Sequence, residues 1–137
     1  MNHDRNLQLL GIAKKAGLLA VGGDAAVAAA RTGKAVLVIS ASNASEGAFR
    51  RARCITETSS AAYVIAPYTK FELGNVTGRG SPGTLAVLDV GLAASFVRGL
   101  AETEPERYDQ TAKQLIAKAD ALTKKKNPTP NKRRTAQ

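Results

Sequence analysis

The side chains that most often perform catalysis are scarce in this sequence of 137 residues. The single histidine, His3, stands before the first expected helix without a set of Cys, Asp or Glu partners at the spacing of a metal site. The single cysteine, Cys54, lies among three arginines, but with His3 as its one potential base, a small core residue is the favoured interpretation. No G-x-S-x-G motif or carboxylate pair stands out. We therefore expect no catalytic residue, no metal, no cofactor and no enzymatic activity.

A glycine-rich segment, GRGSPG at residues 78–83, has the letters of the dinucleotide-binding motif G-x-G-x-x-G. That motif follows a strand and opens a helix, whereas this segment precedes a strand and contains Pro82 where the helix would begin. The dinucleotide interpretation is therefore excluded. Two alternatives remain open: a loop that lies along a nucleic-acid backbone with Arg79, Gly80 and Ser81, and a plain connection.

Several turns have residue types that suit phosphate binding. Lys14 and Lys15 end the first expected helix, Gly22 and Gly23 form the turn into the second, and SASNAS at residues 40–45 follows a strand. In an alternating α/β chain such turns can gather at one end of the sheet, where backbone N–H groups at helix N-termini attract phosphate oxygens. We expect these turns to form a nucleic-acid surface.

The elements that would position these turns alternate along the chain. The pattern predicts a helix from Asp4 to Ala16 that ends at Gly17, the strand LLAVGG, and a helix capped by Asp24. The continuous apolar run from Ala35 to Ser40 predicts a central strand that is buried on both faces. The strands AAYVIA and TLAVLD follow.

Capping signatures mark the remaining helices. Asn43 with Glu46 and Thr69 with Glu72 resemble capping boxes, and Asp89 can cap the next helix. We therefore predict an α/β protein, a three-layer α/β/α sandwich around a mixed sheet of about four strands, with a basic C-terminal extension. The aromatic residues Phe49, Phe71 and Phe96 fall in helices, where core packing explains them better than base stacking.

Three regions are expected along the chain. Residues 1–104 form the α/β/α domain, residues 105–123 form a weakly packed C-terminal helix, and residues 124–137 form a tail that is disordered when free. The tail has six cations, two prolines and no acidic residue.

The charge indicates a polyanionic partner. There are 20 Lys and Arg against 11 Asp and Glu, a formal net charge of +9. The amino terminus lacks the long apolar stretch of a signal peptide, and no uninterrupted apolar run approaches the roughly 20 residues that span a membrane. We expect a cytoplasmic protein without a membrane partner, acting as a monomer.

The strings LLGIAKKAGLLAVGGDAAVAAARTGKAVLVISASNAS and YVIAPYTKFELGNVTGRG, followed by TLAVLD, resemble the ribosomal protein family founded by the archaeal large-subunit protein seven-Ae. The sequence is most similar to the bacterial YlxQ-type members over about residues 5–100. The resemblance implies an α/β/α sandwich that binds kink-turn RNA, often in the ribosome or another ribonucleoprotein.

The family's RNA-reading turn, G-x-N-E with a lysine one helical turn later, corresponds to Gly22, Gly23, Asp24, Ala25 and Ala28. This sequence departs from the motif at Asp24, Ala25 and Ala28, so we expect RNA binding with a reduced preference for kink-turns. The family's loop against the flipped-out nucleotide corresponds to the glycine-rich segment, where Arg79 is a new cation.

Together these observations predict a non-enzymatic RNA-binding protein associated with the ribosome or translation. The RNA-binding candidates are Lys14, Lys15, Gly22, Gly23, Asp24, Lys34, Ser42, Asn43, Arg79, Gly80 and Ser81. Two alternatives remain: a protein-interaction domain whose RNA-reading turn has decayed, and a substrate-recognition piece of an RNA methyltransferase system.

Overall fold

The computed structural model describes the backbone of residues 2–78 and 80–126 and the side chains of residues 5–78 and 80–122. The elements are α1 (Asn2–Lys15), β1 (Leu19–Val21), α2 (Gly23–Arg31), β2 (Leu37–Ser40), α3 (Glu46–Glu57), β3 (Ala62–Ile65), α4 (Lys70–Thr77), β4 (Thr84–Val87), α5 (Val90–Thr103) and α6 (Pro105–Lys126). Arg79 and the tail beyond residue 126 lie outside the described residues.

The four strands form one mixed sheet in the order β1-β4-β2-β3. Strand β2 is parallel to β3, and β4 runs antiparallel to both β1 and β2. Every residue of β2 is buried, which confirms the prediction of a central strand covered on both faces. The predicted three-layer α/β/α sandwich with a mixed sheet is likewise confirmed.

Two hydrophobic cores cover the two faces of the sheet because successive strand residues point to opposite sides. Leu37 and Ile39 of β2 join the larger core, to which α1, α4, α5 and α6 contribute. Val38 joins the smaller core under α2 and α3. Alanines make up most of the smaller core: Ala26, Ala30, Ala35, Ala52, Ala61 and Ala86.

Three of the predicted helix boundaries are confirmed. Thr69 and Glu72 form a complete capping box at the start of α4. The Asp89 carboxylate accepts a hydrogen bond of 2.9 Å from the N–H of Leu92 and caps α5. Gly17, with φ 75°, follows the end of α1 in the left-handed conformation that glycine adopts readily.

Three other boundary predictions are wrong. Helix α1 begins at Asn2, so His3 and Asp4 lie within it. Helix α3 is capped by Ser45, whose side chain accepts a hydrogen bond from the N–H of Ala48, because the side chain of Asn43 is engaged elsewhere. Asp24 lies one residue inside α2, whose N-cap is Gly22, and so cannot supply the cap.

Two predicted core residues are instead exposed. Cys54 is exposed because Ala52 and Ile55 occupy the buried face of α3. Phe71 is exposed because it lies two residues before the buried Leu73, about 200° around α4. Phe96 is buried and packs near Tyr68 with 6.2 Å between ring centroids, and Phe49 is partly buried against the same core.

Helix α6 packs more closely on the body than the sequence predicts. Tyr108, Ala112 and Leu115 are buried in the larger core. The Tyr108 hydroxyl donates a hydrogen bond of 2.6 Å to the carbonyl oxygen of Ile65, the last residue of β3. Burial raises the pKa of Tyr108 above its ordinary value, with Arg107 lowering it and Glu104 raising it further. The first half of α6 is therefore part of the folded domain.

Replacing Tyr108 with phenylalanine should lower the free energy of unfolding by about 0.5–1.5 kcal/mol, because the hydrogen bond to Ile65 is lost. The folded protein holds the phenol proton of Tyr108 more tightly than the unfolded chain does. The stability that the wild type gains over the phenylalanine variant is therefore complete below about pH 10 and is lost as the pH rises through the raised pKa of Tyr108. Urea unfolding of both proteins at pH 7 and above pH 10 measures it. Equal stabilities at pH 7 would contradict the assignment.

Candidate nucleic-acid interface

The candidate site lies at one end of the sheet, which we call the loop end. Strand β4 is antiparallel to β1 and β2, and β3 is parallel to β2, so β1, β2 and β3 all run in one direction. Their last residues, Val21, Ser40 and Ile65, therefore lie at the same end as Thr84, the first residue of β4.

Hydrogen bonds between backbones join the segments at the loop end. The N–H of Gly22 donates to the carbonyl of Thr84 at 2.9 Å, and the N–H of Ala41 donates to that of Gly83 at 2.9 Å. A further bond of 2.8 Å connects Ser42 to Tyr68. The turn after β1, the loops after β2 and β3 and the loop before β4 are therefore held in one fixed arrangement.

Three helices begin at the loop end. Each of β1, β2 and β3 is followed by a helix, so the first residues of α2, α3 and α4 stand above the ends of these strands. A helix N-terminus carries about half a positive charge and presents backbone N–H groups to an anion. Ser45 and Thr69 cap α3 and α4 through side-chain oxygens, whereas Gly22, with φ 103°, caps α2 without a side chain. The loop end is therefore suited to attract phosphate, most directly at the start of α2.

An ion pair flanks the start of α2. The carboxylate of Asp24 lies 2.8 Å from Nη2 of Arg51 on α3. A Cβ added at Gly23 would lie 3.3 Å from Nη1 of the same guanidinium, so the arginine reaches across the turn. Both side chains are more than half exposed, which limits the stability that the pair contributes to about 1 kcal/mol or less. The pair does offset the negative charge that Asp24 would otherwise present to a phosphate.

Lys70 is a cation at the loop end that the sequence analysis missed. Its N–H donates to Oδ1 of Asn43 at 2.9 Å, which connects the start of α4 to the loop after β2. A Cβ added at Gly83 would lie 3.8 Å from Cδ of Lys70, so the lysine stem runs beside the loop that enters β4. The available signal was its place directly after the capping Thr69, in the short segment that follows a predicted strand.

A shallow cleft of about 230 Å³ lies between the turn after β1 and the glycine-rich loop. Its lining residues are Val21, Gly22, Gly80, Ser81 and Pro82. The cleft brings two of the predicted loops face to face beside the start of α2.

The structure brings together seven of the predicted site residues: Gly22, Gly23, Asp24, Ser42, Asn43, Gly80 and Ser81. Arg79 lies outside the described residues.

Three predicted site residues lie at the opposite end of the sheet. Lys14 and Lys15 end α1 just before β1 begins. Lys34 precedes β2, near the point where the N–H of Val36 donates to Val87 at the far end of β4. Residues that precede a strand lie the length of that strand, about 10 Å, from those that follow it. The expected grouping at one end is therefore wrong for these lysines, and their part in RNA binding stays a prediction.

Within the described residues, no group of three or more His, Cys, Asp or Glu side chains is placed to hold a metal ion. In the same part of the chain, no helix combines the length and the apolar character needed to cross a membrane.

Solved structures share the fold of this chain, although comparisons of its sequence find no match. No protein-family model and no curated protein matches the chain. A protein of unknown function from Bacillus halodurans is 23% identical with a TM-score of 0.63, covering 69% of this chain and 94% of its own. The 15.5kD RNA-binding protein of Giardia lamblia is 18% identical with a TM-score of 0.56, covering 72% of this chain and 84% of its own.

Replacing Asn43 with alanine should lower the free energy of unfolding by about 0.5–1.5 kcal/mol, because the N–H of Lys70 loses its acceptor. Asn43→Asp keeps an acceptor oxygen at the start of α4 and should retain the wild-type stability. Urea unfolding of the three proteins tests this, and equal losses in both variants would rule out the hydrogen bond as the cause.

Proposed function

We propose that this chain binds structured RNA at the loop end and that it does so without catalysing a reaction. The observation that carries this proposal is the convergence of three helix N-termini on one end of the sheet, around Gly22, Gly23 and the cation Lys70. Such a surface fits a polyanion with closely spaced phosphates. The formal net charge of +9 adds attraction that does not depend on sequence.

Two observations support RNA as the polyanion. The Giardia protein that shares this fold is named as an RNA-binding protein. The sequence also resembles a family of kink-turn-binding ribosomal proteins over the segments that build the loop end. We therefore propose structured RNA in the bacterial cytoplasm, associated with the ribosome or translation, as the partner.

We further propose that any preference for kink-turns is modest. Asp24 is paired with Arg51 and offers acceptors, whereas the asparagine expected there could also donate a hydrogen bond. Ala25 and Ala28 are exposed on the same helix and carry no group that reaches a base or a phosphate. The turn can therefore hold an RNA backbone, but it has few groups that read bases.

Removing the charge of Lys70 tests the location of the site. Lys70→Gln should weaken binding to a kink-turn RNA and lower the slope of log affinity against log salt concentration by roughly 0.7–0.9, the loss of one phosphate contact. Lys14→Gln is the matched control, because it removes the same charge at the opposite end of the sheet. Titration at several salt concentrations measures both variants.

Three outcomes are informative. A larger effect of Lys70→Gln supports the loop end, and equal effects of the two variants would contradict a site confined to the loop end. If the wild-type protein binds neither a kink-turn RNA nor a duplex of equal length, RNA binding itself is wrong and the protein-interaction alternative gains support.

Restoring the family's turn tests the modest specificity. The triple variant Asp24→Asn, Ala25→Glu and Ala28→Lys should raise the ratio of kink-turn to duplex affinity, by about 1–3 kcal/mol for each base contact regained. All three side chains are solvent-exposed, so the new groups fit without repacking. The measurement is a titration of both proteins against the two RNAs at one salt concentration. A wild-type protein that already prefers the kink-turn by several orders of magnitude would contradict our account.

A further inference from the structure

Phe71 is a large apolar side chain that the fold does not use. It is 69% exposed, more than Ile12 at 57% or Leu122 at 41%, the other large apolar side chains that are exposed among the described residues. A single exposed apolar residue needs no explanation by itself. Phe71, however, lies at the loop end, next to the cation Lys70.

The backbone that carries Phe71 is held firmly. Phe71 is the second residue of α4 and lies inside the capping box, where the N–H of Thr69 donates to Oε1 of Glu72 at 2.9 Å. The preceding residue, Lys70, donates its N–H to Asn43. The backbone therefore presents the aromatic ring at a defined place. When the ring binds a ligand, only its two side-chain torsions lose freedom.

The neighbours of Phe71 suit a nucleic acid. Lys70 is the adjacent residue and a cation, and the nearest carboxylate in the first turn of α4, that of Glu72, accepts the N–H of Thr69 in the capping box. Proteins that bind unpaired nucleotides combine cations that hold phosphates with aromatic rings on which bases stack. The sequence predicts that Phe71 packs in the core, but its exposure leaves the ring free to contact a ligand.

We propose that Phe71 stacks on an unpaired base of an RNA held at the loop end, with Lys70 on the adjoining phosphate. This inference rests on the proposed function and narrows it, because the bases of an uninterrupted A-form duplex are stacked on one another and do not offer a face to a side chain. The preferred partner is therefore an RNA with a bulge or an internal loop. Stacking tolerates any base, so this contact selects for unpaired structure rather than for sequence.

The absence of tryptophan from the sequence gives a direct test. Phe71→Trp introduces a single tryptophan, whose emission can be excited apart from that of the three tyrosines and whose ring retains the ability to stack. Its fluorescence should be quenched by a hairpin RNA with a three-nucleotide bulge, and much less by the same hairpin fully paired. Ile12→Trp is the matched control, because Ile12 is exposed near the end of α1, at the opposite end of the sheet.

The affinity of the same bulged hairpin should fall by about 5- to 150-fold in Phe71→Ala, the range for loss of one base stack. Phe71→Tyr should bind like the wild type, and the affinity for the paired hairpin should change little. Because the side chain is exposed, thermal unfolding of these variants should match the wild type.

The outcomes separate the two proposals. If the wild type binds the bulged hairpin and Phe71→Ala binds it equally well, stacking is wrong and RNA binding stands. Loss of affinity without quenching in Phe71→Trp, or equal quenching in Ile12→Trp, also overturns stacking. If the wild type binds neither hairpin, the proposed function fails with it.

Discussion

The antiparallel insertion of β4 between β1 and β2 is the constraint on which the candidate site depends. In the described part of the chain, β1 pairs with β4 alone, so β4 connects β1 to the rest of the sheet. Because β4 enters from the loop end, the glycine-rich loop before it must lie beside the turn at Gly22. A β4 of the opposite direction would carry this loop to the other end and leave the start of α2 without its neighbour.

The smaller of the two cores lies under α2, which follows β1 after a tight turn. Under α2 and α3 the sheet presents small side chains such as Ala86, and α2 packs Ala26 and Ala30 against them. Small residues on both sides allow the helix to approach the sheet closely, and the single residue Gly22 separates β1 from α2. Gly22, at φ 103°, adopts a conformation that other residues rarely adopt. Because Gly22 has no side chain, α2 begins without a side-chain cap, and the guanidinium of Arg51 lies over Gly23.

Short sequence patterns predict the helices and strands well, but they predict poorly which elements pack against one another. The apolar run of β2 and the caps at Thr69 and Asp89 depend on residues that are close together in the sequence. The strand and the two helix starts could therefore be predicted from the sequence. Asn43 has the same capping chemistry, but its acceptor serves the N–H of Lys70, which is 27 residues away. The strand order depends on such distant pairings and could not be obtained from periodicity.

The prediction of the site failed for a related reason. Composition identifies basic residues without saying which end of the sheet they occupy, and Lys14 and Lys34 precede strands whereas the glycine turns follow them. Helical spacing likewise placed Phe71 in the core, because an eight-residue helix has too few turns to define its buried face from sequence alone.

Attraction and positioning are therefore separated in this molecule. Part of the positive charge of the folded body, at Lys14, Lys15 and Lys34, lies away from the loop end, where it can draw a polyanion towards the protein without orienting it. At the loop end the groups that remain are directional: backbone N–H groups at the start of α2, the guanidinium of Arg51 over Gly23, and Lys70 fixed through Asn43. Directional donors select a phosphate path by its geometry, whereas diffuse charge responds mainly to salt. An RNA bound as we propose would be distinguished by the shape of its backbone, and sequence would enter only through bases that this shape leaves unpaired.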